Sequence, residues 1–241
     1  MSRRGGLRAT PCRIRYHARA VVSTHPAIYL PFARRKYGPA GSVVTPDTEL
    51  VIEGFQRSGN TFAVAAFELA QRRKTRTAHH VHAAAHVIAG VRMGIPILLL
   101  IRDPDEAVLS HMLREPCITP KQGLANWVRF HERVLPYRDR VVVGEFGLVT
   151  SDFGAVIAEI NRRFGTAFQR FEHTEANVTA CFDLIEKWNR QRFGTIVESH
   201  VARPSAQRDQ LKLSLRDGVD DPALSTLRGR ARRVYRALVP E

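Results

Sequence analysis

The apolar run Leu50-Val51-Ile52 leads directly into Gly54-Phe55-Gln56-Arg57-Ser58-Gly59-Asn60-Thr61. A strand, a glycine-bearing turn and a helix start, in that order, aim several backbone N–H groups and a helix dipole at one point, where a phosphate or sulfonate is favoured. The spacing is that of the phosphate loop G-x-x-x-x-G-K-[ST], with Asn60 in the lysine position. A nucleoside triphosphatase needs that lysine against the terminal phosphates. Its absence points to another doubly anionic group, with Arg57 inside the loop as the replacement charge.

A second segment repeats the logic one strand later. Leu98-Leu99-Leu100-Ile101, bounded by Pro96 and Asp103, reads as a buried parallel strand. Asp103 suits a helix N-cap, Pro104 the first helical position, and Asp105 and Glu106 the positive end of the dipole. Arg102 then lies at the carboxyl end of a strand, the edge where open α/β sheets bind ligands. Two other readings compete: a pairing of Arg102 with Glu106, and a magnesium-holding Asp103.

Taken together, Arg57-Ser58-Gly59-Asn60-Thr61-Phe62 and Arg102 with Ser110 eight residues on resemble the sulfotransferase family. The first segment is similar to that family's 5′-phosphosulfate loop, P-K-S-G-T-T-W, and the second to its 3′-phosphate site. The resemblance implies a donor, 3′-phosphoadenosine-5′-phosphosulfate (PAPS), held by Arg57, Ser58, Gly59, Asn60, Thr61, Arg102 and Ser110. It also implies a sulfuryl transfer to a hydroxyl or amine of a small-molecule, glycan or lipid acceptor. A C-terminal clamp is expected from Arg203 and Arg208 around Pro204, with Ser205 capping the next helix. Residues 114–139 and 166–200, with Trp127, Phe130, Phe168, Phe171 and Phe182, are the expected acceptor walls.

Between the two motifs, Thr77 to His86 holds four of the ten histidines. The resemblance places the catalytic base at His82, with His80 where the family has a lysine and Ala84 where it has a proline. A histidine titrating near ~6.5 takes an acceptor proton at neutral pH. Two readings remain beside it. His80 and His82, or His82 and His86, share a face at metal-ligand spacing, though no local carboxylate or cysteine completes a site. Alternatively these rings pack or are solvated at a strand end. No metal is expected.

Strands at 48–55, 75–81, 96–102 and 140–146 alternate with helices at 61–72, 83–93 and 104–113, and further helices are expected at 121–135, from Asp152 to Phe164, and at 178–193. The fold class is α/β, a P-loop-like parallel sheet with helices on both faces in a single domain. Its organisation is expected as a basic N-terminal extension over 1–46, a sulfotransferase-like domain over 47–216 and a basic C-terminal helix over 217–241.

Charge and cysteines bound the setting. The chain has 37 lysines and arginines against 23 acidic residues, and no acid precedes Asp47. Nine basic residues fall before Thr45, among them Arg3, Arg4, Arg34, Arg35 and Lys36. Arg228, Arg230, Arg232, Arg233 and Arg236 crowd the other end. Such ends fit a membrane surface, a polyanion or an acidic acceptor, and the acid-poor leader also fits a transit segment. The few tyrosines nearby are too sparse for a base-stacking platform, so nucleic acid is not expected as an obligatory partner. The cysteines Cys12, Cys117 and Cys181 suggest no disulfide framework, hence a reducing, cytoplasmic interior. A P-loop kinase with a relocated cation and a non-enzymatic nucleic-acid binder are the alternatives to the transferase.

Overall fold

A computed structural model describes residues 4–38 and 42–239, with side chains from residue 11 onward. Four strands, β1 (Leu50–Gly54), β2 (Thr77–His79), β3 (Ile97–Ile101) and β4 (Val142–Glu145), form one parallel sheet in the order β2-β1-β3-β4. The chain leaves β1 to one side for β2 and returns to the other side for β3. The carboxyl ends of β1 and β3 therefore flank a topological switch point, where an open sheet leaves a crevice.

Strand residues divide between two cores. Val51, Ile97, Leu99 and Ile101 face one hydrophobic cluster; Leu50, Ile52, Leu98 and Leu100 face the other. Alternation along a pleated strand makes this unavoidable, and each face must then be covered by helices. Helices α3 (Asn60–Ala70), α7 (Phe146–Ser151), α8 (Phe153–Phe164) and α9 (Glu175–Phe193) cover the second face. Helices α2 (Pro26–Tyr37), α4 (Ala84–Arg92), α5 (Pro104–Arg114), α6 (Pro120–Val134) and α11 (Ser225–Leu238) cover the first. The α/β class with helices on both faces is as expected. The strands are shorter than the sequence suggests, since flanking residues such as Thr48, Thr75, Arg102 and Arg140 lie outside the ladder.

Local signals place most helix ends. Asp103 accepts from Glu106 N and Asp152 from Ala155 N, while Gly165 ends α8 at φ 65°. Gly54 is required by a close approach: a Cβ there would lie 2.3 Å from the Leu100 carbonyl oxygen.

The terminal segments join the core. Helix α1 (Arg4–Val22) lies along α6, and α2 starts with Pro26 at its first turn and buries Tyr29, Leu30 and Ala33. Helix α11 buries Ala231, Val234 and Leu238, and its arginines are largely paired: Arg228 with Asp105 at 2.8 Å and Asp220 at 2.6 Å, Arg230 with Glu132 at 2.6 Å. No helix is expected from the sequence over residues 4–37, where prolines and dense arginines interrupt the apolar pattern.

One expectation is corrected. Cys12 of α1 and Cys117, beyond the end of α5, form a disulfide across 105 residues of sequence, with Cα atoms 6.4 Å apart. Spacing in sequence carries no information about a bridge that long-range packing assembles, so the cysteine count does not speak for a reducing compartment. Cys181 is free and buried. No helix among the described residues is long and apolar enough to cross a membrane.

Candidate functional site

The loop between β1 and α3 closes on itself before it meets anything else. Ser58 N donates to the Phe55 carbonyl at 3.3 Å, and Asn60 Nδ2 donates to the same oxygen at 3.0 Å. Asn60 thus braces the turn from the position where a lysine would reach outward. Arg57 has φ 68° and Gly59 φ 89°; the first is an uncommon backbone state for a side-chain-bearing residue, of the kind that concentrates at functional sites. Helix α3 starts at once, so its first N–H groups point out of the loop with no intrahelical acceptor.

Three arginines from distant elements meet there. Arg57 Nε donates to Ser110 Oγ at 3.0 Å, and Arg208, from helix α10 (Ala206–Asp220), donates through Nη2 to the same oxygen at 3.2 Å. Arg102 donates to the Arg57 carbonyl at 3.3 Å and stacks 4.0 Å over the Phe146 ring, with Glu106 at 3.5 Å. The pairing of Arg102 with Glu106 read from the sequence is therefore present alongside the convergence. Arg57 and Arg208 form no salt bridge with any carboxylate among the described residues. Burial, then the charges of Arg208, Arg114 and Arg102, push the Arg57 pKa down. A guanidinium stays charged at neutral pH, so this crowding favours an anion among these groups. Arg203 lines the same cavity but is paired with Glu186 at 2.7 Å and Glu198 at 2.6 Å.

The histidine segment is organised by Glu53, a residue that sequence reasoning left unremarked inside a strand. Glu53 is fully buried and accepts from Gly54 N at 3.0 Å, Val81 N at 3.1 Å, His82 N at 3.0 Å and His86 Nδ1 at 2.8 Å. Burial alone would raise its pKa; the bond from His86 and the nearby His82 outweigh that and hold it below the usual carboxylate range. The visible signal was an acid at the end of the apolar run Leu50-Val51-Ile52.

His80 and His82 both have positive φ, 60° and 51°. His80 is engaged at both ring nitrogens, with His79 Nδ1 at 2.8 Å and Thr61 Oγ1 at 3.2 Å. His82 Nδ1 lies 2.9 Å from the Gly54 carbonyl, which accepts its proton and fixes the tautomer that leaves Nε2 unprotonated. Burial pushes the His82 pKa below its ordinary value, as it does for His80 more strongly. His86 is spent on Glu53 and on Val44 N at 2.9 Å.

Arginines and histidines line one cavity of about 1600 Å³. That is larger than the ~300–1,000 Å³ typical of a small-molecule pocket, and has room for two ligands side by side. Both expected stretches contribute lining residues, Arg114 and Ile118 from one and Phe182, Trp188 and Phe193 of α9 from the other, and Tyr16, Arg19, Val22, Tyr29 and Phe32 of α1 and α2 add a wall that the sequence did not suggest. Of the aromatics expected there, Trp127, Phe130 and Phe171 are buried in the cores, and only Phe182 faces the cavity.

The chain matches no protein-family model and no curated protein. Among solved structures it is similar to mouse sulfotransferase SULT7A1 complexed with PAP, at 11% identity and a TM-score of 0.42, over 81% of this chain and 92% of that one. A likeness at that level assigns no function, and none is taken from it.

Proposed function

We propose that this chain is a sulfotransferase that moves a sulfuryl group from PAPS to a hydroxyl or amine of a small-molecule, glycan or lipid acceptor. The observation that carries the reading is the convergence of Arg57 and Arg208 on Ser110, with Arg102 on the Arg57 carbonyl, on the same cavity as a histidine with one free ring nitrogen. In this reading Arg57 and the N–H groups at the start of α3 hold the 5′-phosphosulfate, while Arg102, Ser110 and Arg208 hold the 3′-phosphate.

His82 Nε2 takes the acceptor proton as the acceptor oxygen or nitrogen bonds to sulfur. The bond from sulfur to the bridging oxygen breaks, and its electron pair stays on the departing phosphate. Arg57 stabilises that charge. Alignment and charge stabilisation, rather than covalent help, are then the protein's contributions. Asn60 braces the loop and His80 orients Thr61, so neither needs to touch a reacting atom.

Calorimetric titration with adenosine-3′,5′-bisphosphate, beside ATP with magnesium, tests the reading. Micromolar binding of the bisphosphate is expected, weakened roughly tenfold to a hundredfold in Arg57→Ala, the loss of one charge-assisted contact. Preference for ATP with magnesium would move the assignment to the kinase class.

A further inference from the structure

The exposed apolar residues are not spread evenly. Of the eleven large hydrophobic side chains exposed among the described residues, Ile14, Val21, Val22, Ile28 and Phe32 all fall in α1 and α2. Ile14, Ala18 and Val22 share one helical face, and Ile28 and Phe32 another. Val22 and Phe32 also line the cavity, so each stripe reaches its wall. Beside them stand the exposed Arg13, Arg15, Arg34, Arg35 and Lys36, and no acidic residue occurs before Asp47. At the C-terminal end, by contrast, Arg228, Arg230 and Arg232 are paired with carboxylates.

We propose that the α1–α2 rim docks on an anionic lipid bilayer and that the cavity draws its acceptor from that bilayer. Apolar side chains flanked by unneutralised cations suit the interface of such a surface, where hydrophobic insertion and electrostatic attraction add. A basic rim alone would fit any polyanion; Ile14 at 65% and Ile28 at 62% exposure have a role only against an apolar phase. Because both stripes reach the cavity wall, an amphiphile would pass from bilayer to cavity without its chains crossing water. The docking surface stands independently of the reaction; the acceptor class rests on the sulfotransferase reading.

The full chain is sedimented with vesicles of phosphatidylcholine alone and with phosphatidylglycerol added, at low and high salt. Binding to the anionic vesicles, weakened by salt, is expected. Ile14→Ser with Ile28→Ser, neither of which lines the cavity, is expected to lower the bound-to-free ratio about tenfold or more. Arg34→Gln and Arg35→Gln are each expected to lower it about fivefold. Retained bisphosphate binding in the variants shows that they fold.

Absence of sedimentation with either vesicle overturns the proposal. So does sedimentation unchanged in the Ile14 and Ile28 variant, or a dimer in solution that this variant dissociates, which would make a second copy the occupant. Vesicle binding that persists while bisphosphate binding is absent overturns the donor site and leaves the bilayer surface standing; the reverse result overturns the surface alone.

Discussion

Glu53 holds the histidines in place at the scale of single residues. Its two oxygens receive three backbone N–H groups and one imidazole, so the backbone turn through His80 and His82 depends on a charge buried under the sheet edge. Glu53→Gln keeps the volume but sets an amide N–H against these donors. It is expected to destabilise the fold by about 3 kcal/mol, the scale of buried donors to a charged acceptor left unsatisfied, measurable as a fall in the urea midpoint. His82→Asn separates chemistry from binding. Bisphosphate affinity should stay within about twofold, while sulfuryl transfer to an accepted hydroxyl falls roughly 10²–10⁴-fold. Unchanged transfer in folded His82→Asn would remove this residue from the mechanism.

Among elements, α1 is the one whose position is least determined by its own sequence. It has little apolar surface to bury, and it is fixed by the Cys12–Cys117 disulfide and the bond from Arg19 to the Val81 carbonyl at 2.8 Å. A bridge that closes a long loop restricts the unfolded chain, typically by ~2–5 kcal/mol. Cys12→Ser with Cys117→Ser is expected to lower the melting temperature by roughly 5–15 °C for a chain of this size. Amide exchange should rise first in α1, the wall it frees. An unchanged melting temperature on reduction would show that packing on α6 suffices to hold the helix. The β1–loop–α3 unit behaves oppositely, since Asn60 and Gly59 specify its turn locally.

For the whole molecule, buried histidines govern the response to acid. Burial pushes His111 and His131 down to about 3, and lowers His79, His80 and His82 as well. These groups are neutral in the folded protein and protonate near ~6.5 when unfolded. Their contribution to stability is therefore full above that value and is lost as pH falls toward the folded pKa values. His111 and His131 together give a slope of about 2.7 kcal/mol per pH unit within that window. Urea midpoints measured from pH 7 to 4 should fall steadily, and a flat profile would contradict the burial of these rings.

Legible in the sequence were the repeating strand–helix order, the parallel sheet, the glycine-bearing loop after Ile52 and Arg102 at a strand end. These rest on local signals: apolar runs, glycine, proline and caps act over a few residues, so they are written contiguously. Long-range packing alone brings Arg208 and Arg57 onto Ser110 across 98 and 53 residues, makes the loop a switch point and sets Glu53 among the histidines. It also decided that α1 and α2, rather than Trp127 and Phe130, wall the cavity. Such contacts form wherever two cores leave a gap to be closed, and no spacing along the chain encodes that gap. Polar partners in it are chosen by desolvation, which punishes an unpaired buried group whatever its distance in sequence.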